Sequence, residues 1–314
     1  MVHHAQRTGM GGGVTNPVSG WSANACWQFC MLFAALFCFS EAVLASDPIC
    51  DLSQAGDPRL QKQLEELLDQ EQLSAAVKRG DLALTLLVLS DPERPRLAQV
   101  NGNNMMYAAS LPKIVILLGA AVAIDEGRLI PDEEVQEDLH RMIRQSCNEC
   151  ANRVIERVGE QELVEIVQSP RFGFYDDEDG GLWLGKPYGK APAWRRDPIK
   201  RLSHGATTFQ TARFYCGLER GTLVSPEQNR LMLDVMANPG INHKFVKGLQ
   251  PNPDSEIFRK SGTWRSWHAD SALVRNGSAV YVIAGLAHSP EGGDWLERLA
   301  GPLNQLALTR SADH

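Results

Sequence analysis

AASLPKIVILLGAAVAIDEG, residues 108–127, sets a small polar Ser110 at the mouth of a long apolar run, with a lysine, Lys113, three positions on. From Ile114 to Ile124 there is no polar side chain. A helix made of these residues has no face suited to water and belongs inside the protein. Gly127 supplies its C-terminal stop. A lysine one turn into such a helix has two readings. It snorkels out at the helix end, or it sheds its hydration, loses basicity and stands beside a nucleophile as a base. Taken alone, the stretch favours the first reading; its companions elsewhere in the chain decide the matter.

Outward from this helix, strand patterns lie toward both ends. DLALTLLVLS (81–90) and LAQVNGN (97–103) precede it, with DPERPR as the turn between them. EIFRKSGT (256–263), ADSALVR (269–275) and SAVYVIAGLA (278–287) come late, and Asn276-Gly277 between the last two is a hairpin signal. Helical spacing fills the middle: Val135, Leu139, Met142 and Ile143 before residue 146, then Ala151, Val154, Ile155 and Val158 after it. Leu60, Leu64, Leu67 and Leu68 mark an earlier amphipathic helix, and Trp295, Leu296 and Leu299 a closing one. Thr207 to Gln210 and Ser225 to Gln228 read as capping boxes. Residues 169–205 carry Gly, Pro and aromatics without period; a loop this long in a compact domain is either functional or hides elements that show no pattern. The order predicts an α/β chain of the α+β kind: one antiparallel sheet from both ends with a helical insertion. The boundaries expected are a sheet part over 46–108 and 250–314 and a helical part over 109–249.

The chain has 314 residues, 43 % hydrophobic and 22 % charged, an ordinary globular composition. CWQFCMLFAALFCFS (26–40) followed by Val43-Leu44-Ala45 reads as a secretory signal peptide cut after Ala45. Its uninterrupted apolar part, Phe29 to Phe39, is short of the ~18–20 residues of a membrane span. The expectation is therefore export to the periplasm or the extracellular space, without stable membrane insertion after cleavage. Loss of residues 1–45 removes Arg7 and Glu41 together and leaves the net charge of −7 intact. An acidic balance with no basic run to offset it argues against nucleic acid as a partner. Of seven cysteines, Cys50, Cys147, Cys150 and Cys216 follow Ala45. Cys147 and Cys150 form a CxxC without the second CxxC or the histidine pair of a zinc site, so a packed thiol pair or a bridge is expected and no metal. GMGGGV (9–14) follows no strand and is not a dinucleotide loop; no cofactor is expected.

Two further signals accompany Ser110 and Lys113. Ser146-Cys147-Asn148 sits at a helix–helix joint, and Lys260-Ser261-Gly262-Thr263 ends a strand. SxxK, SxN and KSGT in this order match the motif set of class A β-lactamases and penicillin-binding proteins, and the chain from residue 46 resembles a class A β-lactamase-like serine hydrolase. MIRQSCNECANRVI and GATTFQTARFYCGL look like segments of that family. The resemblance implies a β-lactamase/transpeptidase-like αβα sandwich and acyl transfer through Ser110, with Lys113, Ser146 and Lys260 as its catalytic companions. It further implies an oxyanion hole from the backbone N–H groups of Ser110 and Thr263. Asn148, Ser261, Thr263 and His268 would bind the substrate, a small molecule or peptide with a carboxylate. His268 stands where many class A enzymes carry an arginine, two places before Asp270.

Those residue types suit the chemistry. A serine hydroxyl is a weak nucleophile until a base takes its proton. A lysine desolvated by the apolar helix and near a second ammonium has the lowered pKa that a base needs. Two departures limit the resemblance. The omega-loop ExxLN pattern, whose Glu positions the deacylating water, is missing, and Asp176, Asp177, Glu178 and Asp179 read as a solvated turn. Ser110 and Ser146 are only 36 residues apart, which implies a more open cleft. The sequence thus predicts acylation by β-lactams or related amides with weak turnover. The alternatives are a cell-wall D-Ala-D-Ala peptidase-like or other amide or ester hydrolase and, least favoured, a non-catalytic penicillin-binding module.

Overall fold

In the computed structural model, which describes residues 49–249 and 255–309, Asp57 opens the first helix. Its carboxylate caps the N–H groups of Arg59 and Leu60, and Pro58 takes the first position, where a missing N–H costs nothing. This helix, α1 (Pro58–Gln70), buries Leu60, Leu64, Leu67 and Leu68 along one stripe. There follow α2 (Ser74–Arg79) and the strands β1 (Leu82–Val88), β2 (Arg96–Val100) and β3 (Met106–Tyr107). The helical part comprises α3 (Lys113–Asp125), α4 (Glu133–Arg144), α5 (Asn148–Val158) and α6 (Glu160–Gln168). Three two-residue strands, β4 (Tyr175–Asp176), β5 (Gly180–Gly181) and β6 (Trp183–Leu184), then lead to β7 (His204–Ala206). The chain closes through α7 (Thr208–Arg220), α8 (Pro226–Met236), α9 (Phe245–Leu249), β8 (Glu256–Trp264), β9 (Trp267–Asn276), β10 (Ala279–His288) and α10 (Gly292–Leu308). The leader expected over residues 1–45 lies outside the described residues.

The main sheet is antiparallel, in the order β2-β1-β10-β9-β8, so both ends of the chain contribute to it, as the strand patterns predict. Strand β1 is buried throughout, and its alternation divides two cores. Leu82, Leu84, Leu86 and Val88 pack with leucines of α1 and α10. Ala83 and Leu87 face the helical part, where Thr85 hydroxyl donates to Thr208 at 2.8 Å. Helices, sheet and helices form three layers. Among the described residues no helix is long and apolar enough to cross a membrane.

Helix α3 lies at the centre of the larger core and is buried from Lys113 to Ala123. Its end is a Schellman turn: Arg128 N–H bonds Ala123 O, Gly127 N–H bonds Ile124 O, and Gly127 has φ 70°. The helix starts later than the sequence suggests. Ser110, Leu111 and Pro112 form a tight turn of i→i+3 bonds, with Lys113 N–H on Ser110 O at 3.2 Å and Val115 N–H on Pro112 O at 2.9 Å. In such a turn residues i and i+3 eclipse, so Ser110 and Lys113 share a face more closely than on an α-helix.

Three local expectations change. Residues 169–205 contain β4, β5 and β6, which pair with β5, β4 and β7 respectively, too short to show a period. The hairpin turn is Gly277-Ser278, since Asn276 still pairs with Ala279; Gly277 has φ 59° and Ser278 does not take a positive φ. Both predicted capping boxes are half made. Thr207 and Ser225 accept from Gln210 N–H and Gln228 N–H, but Ser225 N–H goes to Asp125 Oδ2 rather than to Gln228. The four cysteines pair as Cys50–Cys216 and Cys147–Cys150, the second being the bridge that the CxxC spacing left open.

Candidate active site

Three segments remote in sequence meet at Ser146. It lies between α4 and α5 in a left-handed conformation, φ 58°, which a non-glycine residue holds at a cost. Cys147 follows as the N-cap of α5: its sulfur accepts from Cys150 N–H at 3.1 Å and bridges to the Cys150 sulfur. Cap and bridge together fix the flanks of Ser146 and Asn148.

Lys113 is wholly buried. Its Nζ donates to Ser146 O at 2.6 Å, Asn148 Oδ1 at 2.8 Å and Ser146 Oγ at 3.4 Å. Lys260, also buried, reaches the same hydroxyl from strand β8, with Nζ 3.1 Å from Ser146 Oγ and 2.6 Å from Ser261 O. Burial lowers the pKa of Lys113 to about 7 against a smaller opposing pull from Glu149. Burial, then the Lys113 charge, hold Lys260 well below the lysine range. Among the described residues Ser110 Oγ has no hydrogen-bond partner, so Lys113 shares its face without a bond between them.

Strand β8 is the edge of the sheet, and its alternation sets what faces Ser110. Lys260, Gly262 and Trp264 point toward it. A Cβ on Gly262 would lie 2.2 Å from Ala108 O and 2.6 Å from Ser110 N, so the lack of a side chain is what lets β8 close on the Ser110 turn. Ser261 Oγ lies 3.4 Å from His243 Nε2, and Thr263, at the end of the strand that opens on the cleft, accepts from Lys244 Nζ at 2.7 Å on its Oγ1. The expectation for His268 needs correction on its packing. It is paired with Thr263 but packs on Gly292 and Gly293 of α10, and it does not line the cleft in front of Ser110. The cation beside Thr263 is Lys244, buried, bonded also to Gly262 O at 2.7 Å and Ala269 O at 3.1 Å, and lowered by burial to about 8. Asp270 holds a buried bidentate pair with Arg259.

Ser110, Asn148 and Thr263 line one cleft of about 640 Å³ with Tyr107, Lys186, Tyr188, His204 and Trp264. Tyr188 is anchored twice by Asn152: its N–H donates to Asn152 Oδ1 at 2.8 Å and its carbonyl accepts from Nδ2 at 3.0 Å. This places the ring 4.4 Å from Lys113 Nζ, a cation–π contact. The Tyr188 hydroxyl is buried without a partner, and burial raises its pKa well above the usual value. His204 packs its ring, tilted, on Tyr188 with centroids 4.6 Å apart and is pushed down to about 4 by burial and by Lys186. Among the described residues no aspartate or glutamate lines this cleft. Asp176 to Asp179 form an exposed turn in which Asp176 Oδ1 accepts from Glu178 and Asp179 N–H, as the sequence predicts. Lys244, Tyr188 and His204 escape the sequence reading because none stands in a motif and two lie in or beside the aperiodic segment.

A family model described as "Beta-lactamase enzyme family" matches residues 134–307. No curated protein matches the chain in sequence. Among solved structures, PBP-A is similar at 20 % identity and TM-score 0.60, over 80 % of this chain and 97 % of that one. A PBP-A variant in an acyl-enzyme complex with penicillin G is similar at 20 % identity and TM-score 0.59, over the same shares of 80 % and 97 %. A β-lactamase from Sphaerobacter thermophilus DSM 20745 is similar at 17 % identity and TM-score 0.60, over 77 % of this chain and 100 % of that one. At such identities the likenesses establish the fold.

Proposed function

On the premise that the chain belongs to the β-lactamase enzyme family and is a serine hydrolase of that type, we propose that Ser110 is the acylated nucleophile. The observation that carries this is the convergence of two buried ammonium groups on Ser146 beside the Ser110 turn. In this reading Ser110 Oγ attacks the substrate carbonyl while Lys113, part neutral near pH 7, takes the hydroxyl proton. Ser146, held by Lys260, passes a proton to the leaving nitrogen. The N–H groups of Ser110 and Thr263 hold the oxyanion, a device often worth ~3–4 kcal/mol. Asn148 holds the acyl side chain, and Thr263 with Lys244 behind it receives the substrate carboxylate.

Turnover of β-lactams is weak in this reading, because among the described residues the cleft is lined by no carboxylate to activate the deacylating water. Tyr188, with its high pKa, covers the face of Lys113 that a carboxylate would need. The same observation favours the second reading, a cell-wall D-Ala-D-Ala peptidase-like amide hydrolase that β-lactams trap, as penicillin G acylates the PBP-A variant. The signal pattern before Ser46 and two disulfides support export. Intact mass after incubation with penicillin should rise by one ligand and decay slowly, and Ser110→Ala should abolish the adduct. Neither adduct nor turnover across several β-lactam classes overturns the proposal.

A further inference from the structure

The net charge of −7 hides a local reversal: contrary to the expectation of no basic run, the chain holds one. Residues 185–201, GKPYGKAPAWRRDPIKR, hold Lys186, Lys190, Arg195, Arg196, Lys200 and Arg201 against one acid, Asp197. That acid is buried and spends its carboxylate on the N–H groups of Ile199, Lys200 and Leu202. Among the described residues none of the six cations forms an ion pair, whereas arginines elsewhere, such as Arg153, Arg157, Arg259 and Arg275, are paired with carboxylates. Three of the six, Lys186, Lys190 and Arg196, line the Ser110 cleft, where no acid opposes them. Their hydrogen bonds are to backbone: Lys186 Nζ donates to Gly189 O, and Arg196 to Arg201 O at 3.1 Å.

Like charges gathered on one wall of a cleft focus a field into it. The wall is tied to a definite side of the site. Asn152, which anchors Tyr188 between Lys186 and Lys190, stands one turn along α5 from Asn148. We propose that this wall is a second anion subsite and that the acyl donor is an acidic peptide or amide with a carboxylate on its acyl side, besides the one received at Thr263. The proposal rests on Ser110 as the acylated residue. Acylation itself balances without a co-reactant: the Ser110 Oγ–carbon bond forms, the amide C–N bond breaks, and the hydroxyl proton ends on the released nitrogen.

Benzylpenicillin and its α-carboxy analogue differ by one carboxylate on the acyl side chain and serve as the probe pair. Adduct formation is followed by intact mass for the full chain and for K190E/R196E, each checked by its melting temperature. In the wild type the ratio of the α-carboxy rate to the benzyl rate should exceed one and fall as salt is raised. In K190E/R196E, or in the milder K190A/R196A if the reversal misfolds, that ratio should drop about tenfold. A ratio that is equal in wild type and variants, with both probes on Ser110, overturns the subsite and leaves the nucleophile standing. No adduct from either probe on the wild type overturns the nucleophile, and the subsite with it.

Discussion

Lys113 is the residue on which chemistry and stability pull apart. Burial holds its folded pKa at about 7, against an ordinary value of 10.5 in the unfolded chain. Between those values the unfolded chain binds a proton that the folded one has lost, so this group's contribution to stability rises with pH there and is least favourable below 7. Lys113→Met removes the buried charge. It should raise the melting temperature at pH 6 by about 3–8 °C while cutting acylation about 10³-fold; an unchanged acylation rate would remove Lys113 from the base role. In the wild type the acylation rate should climb as pH passes about 7, a transition that belongs jointly to Lys113 and Lys260 because both hold Ser146. Tyr188→Glu places a carboxylate beside Lys113 Nζ, where the ring now lies at 4.4 Å. Decay of the penicillin adduct should then quicken about 10²-fold or more, read by the same mass time course, and decay at the wild-type rate would mean that something other than a missing base limits release. The legible residues were those whose partner stands at a fixed short spacing, as Ser110 and Lys113 do. Tyr188 and Lys244 are placed by Asn152 and by the 241–245 segment folding over β8, contacts with no local trace in the sequence.

Elements were legible where one physical signal dominates. The all-apolar α3, the apolar run of β10 and the leucine stripe of α1 each follow from burial alone. Ends were less legible, because tertiary contacts claim the groups that local rules assign. Asp125 takes the Ser225 N–H that a capping box would give to Gln228, and strand pairing draws Asn276 out of the turn. The catalytic proposal depends most on the contact between β8 and the Ser110 turn. Gly262 there reads as ordinary motif filling, yet a methyl group would meet Ala108 O at 2.2 Å. Both contacts are backbone, so neither can swing aside, and overpacking of this kind costs about 1–3 kcal/mol. Gly262→Ala should therefore part Thr263 N–H from Ser110 N–H and lower acylation by about 10² or more, with a smaller fall in thermal stability. Gly277→Ala, where a Cβ meets nothing within 4 Å but φ is 59°, should lose stability and keep acylation. Equal acylation by the two variants would mean that the β8 approach does not set the oxyanion site.

At the scale of the molecule, the three-layer order could be read because strands at both ends bracket helices, and a sheet closed from both ends is the economical way to bury them. The long-range cysteine pairing could not, since only the fold brings Cys50 to α7, whereas the CxxC spacing already allowed the Cys147–Cys150 bridge. The two bridges have different physical consequences. Cys50–Cys216 spans 166 residues, and closing so long a loop limits the unfolded chain by as much as ~5 kcal/mol in the chain-entropy account. Arg213 adds to the same junction, donating to Ile49 O at 2.9 Å. Cys147–Cys150 spans three residues, for which that account gives only ~2 kcal/mol, but it encloses Asn148 and adjoins Ser146, the acceptors of Lys113. Replacing Cys50 and Cys216 by alanine should thus lower the denaturation midpoint strongly and leave the penicillin acylation rate of the folded protein unchanged. Replacing Cys147 and Cys150 by serine should do the reverse: a small loss of stability and about a tenfold or greater loss of acylation. Denaturant titration and adduct kinetics on the two double variants separate these effects, and a Cys147/Cys150 variant that is acylated at the wild-type rate would show that the αL turn at Ser146 holds without its bridge.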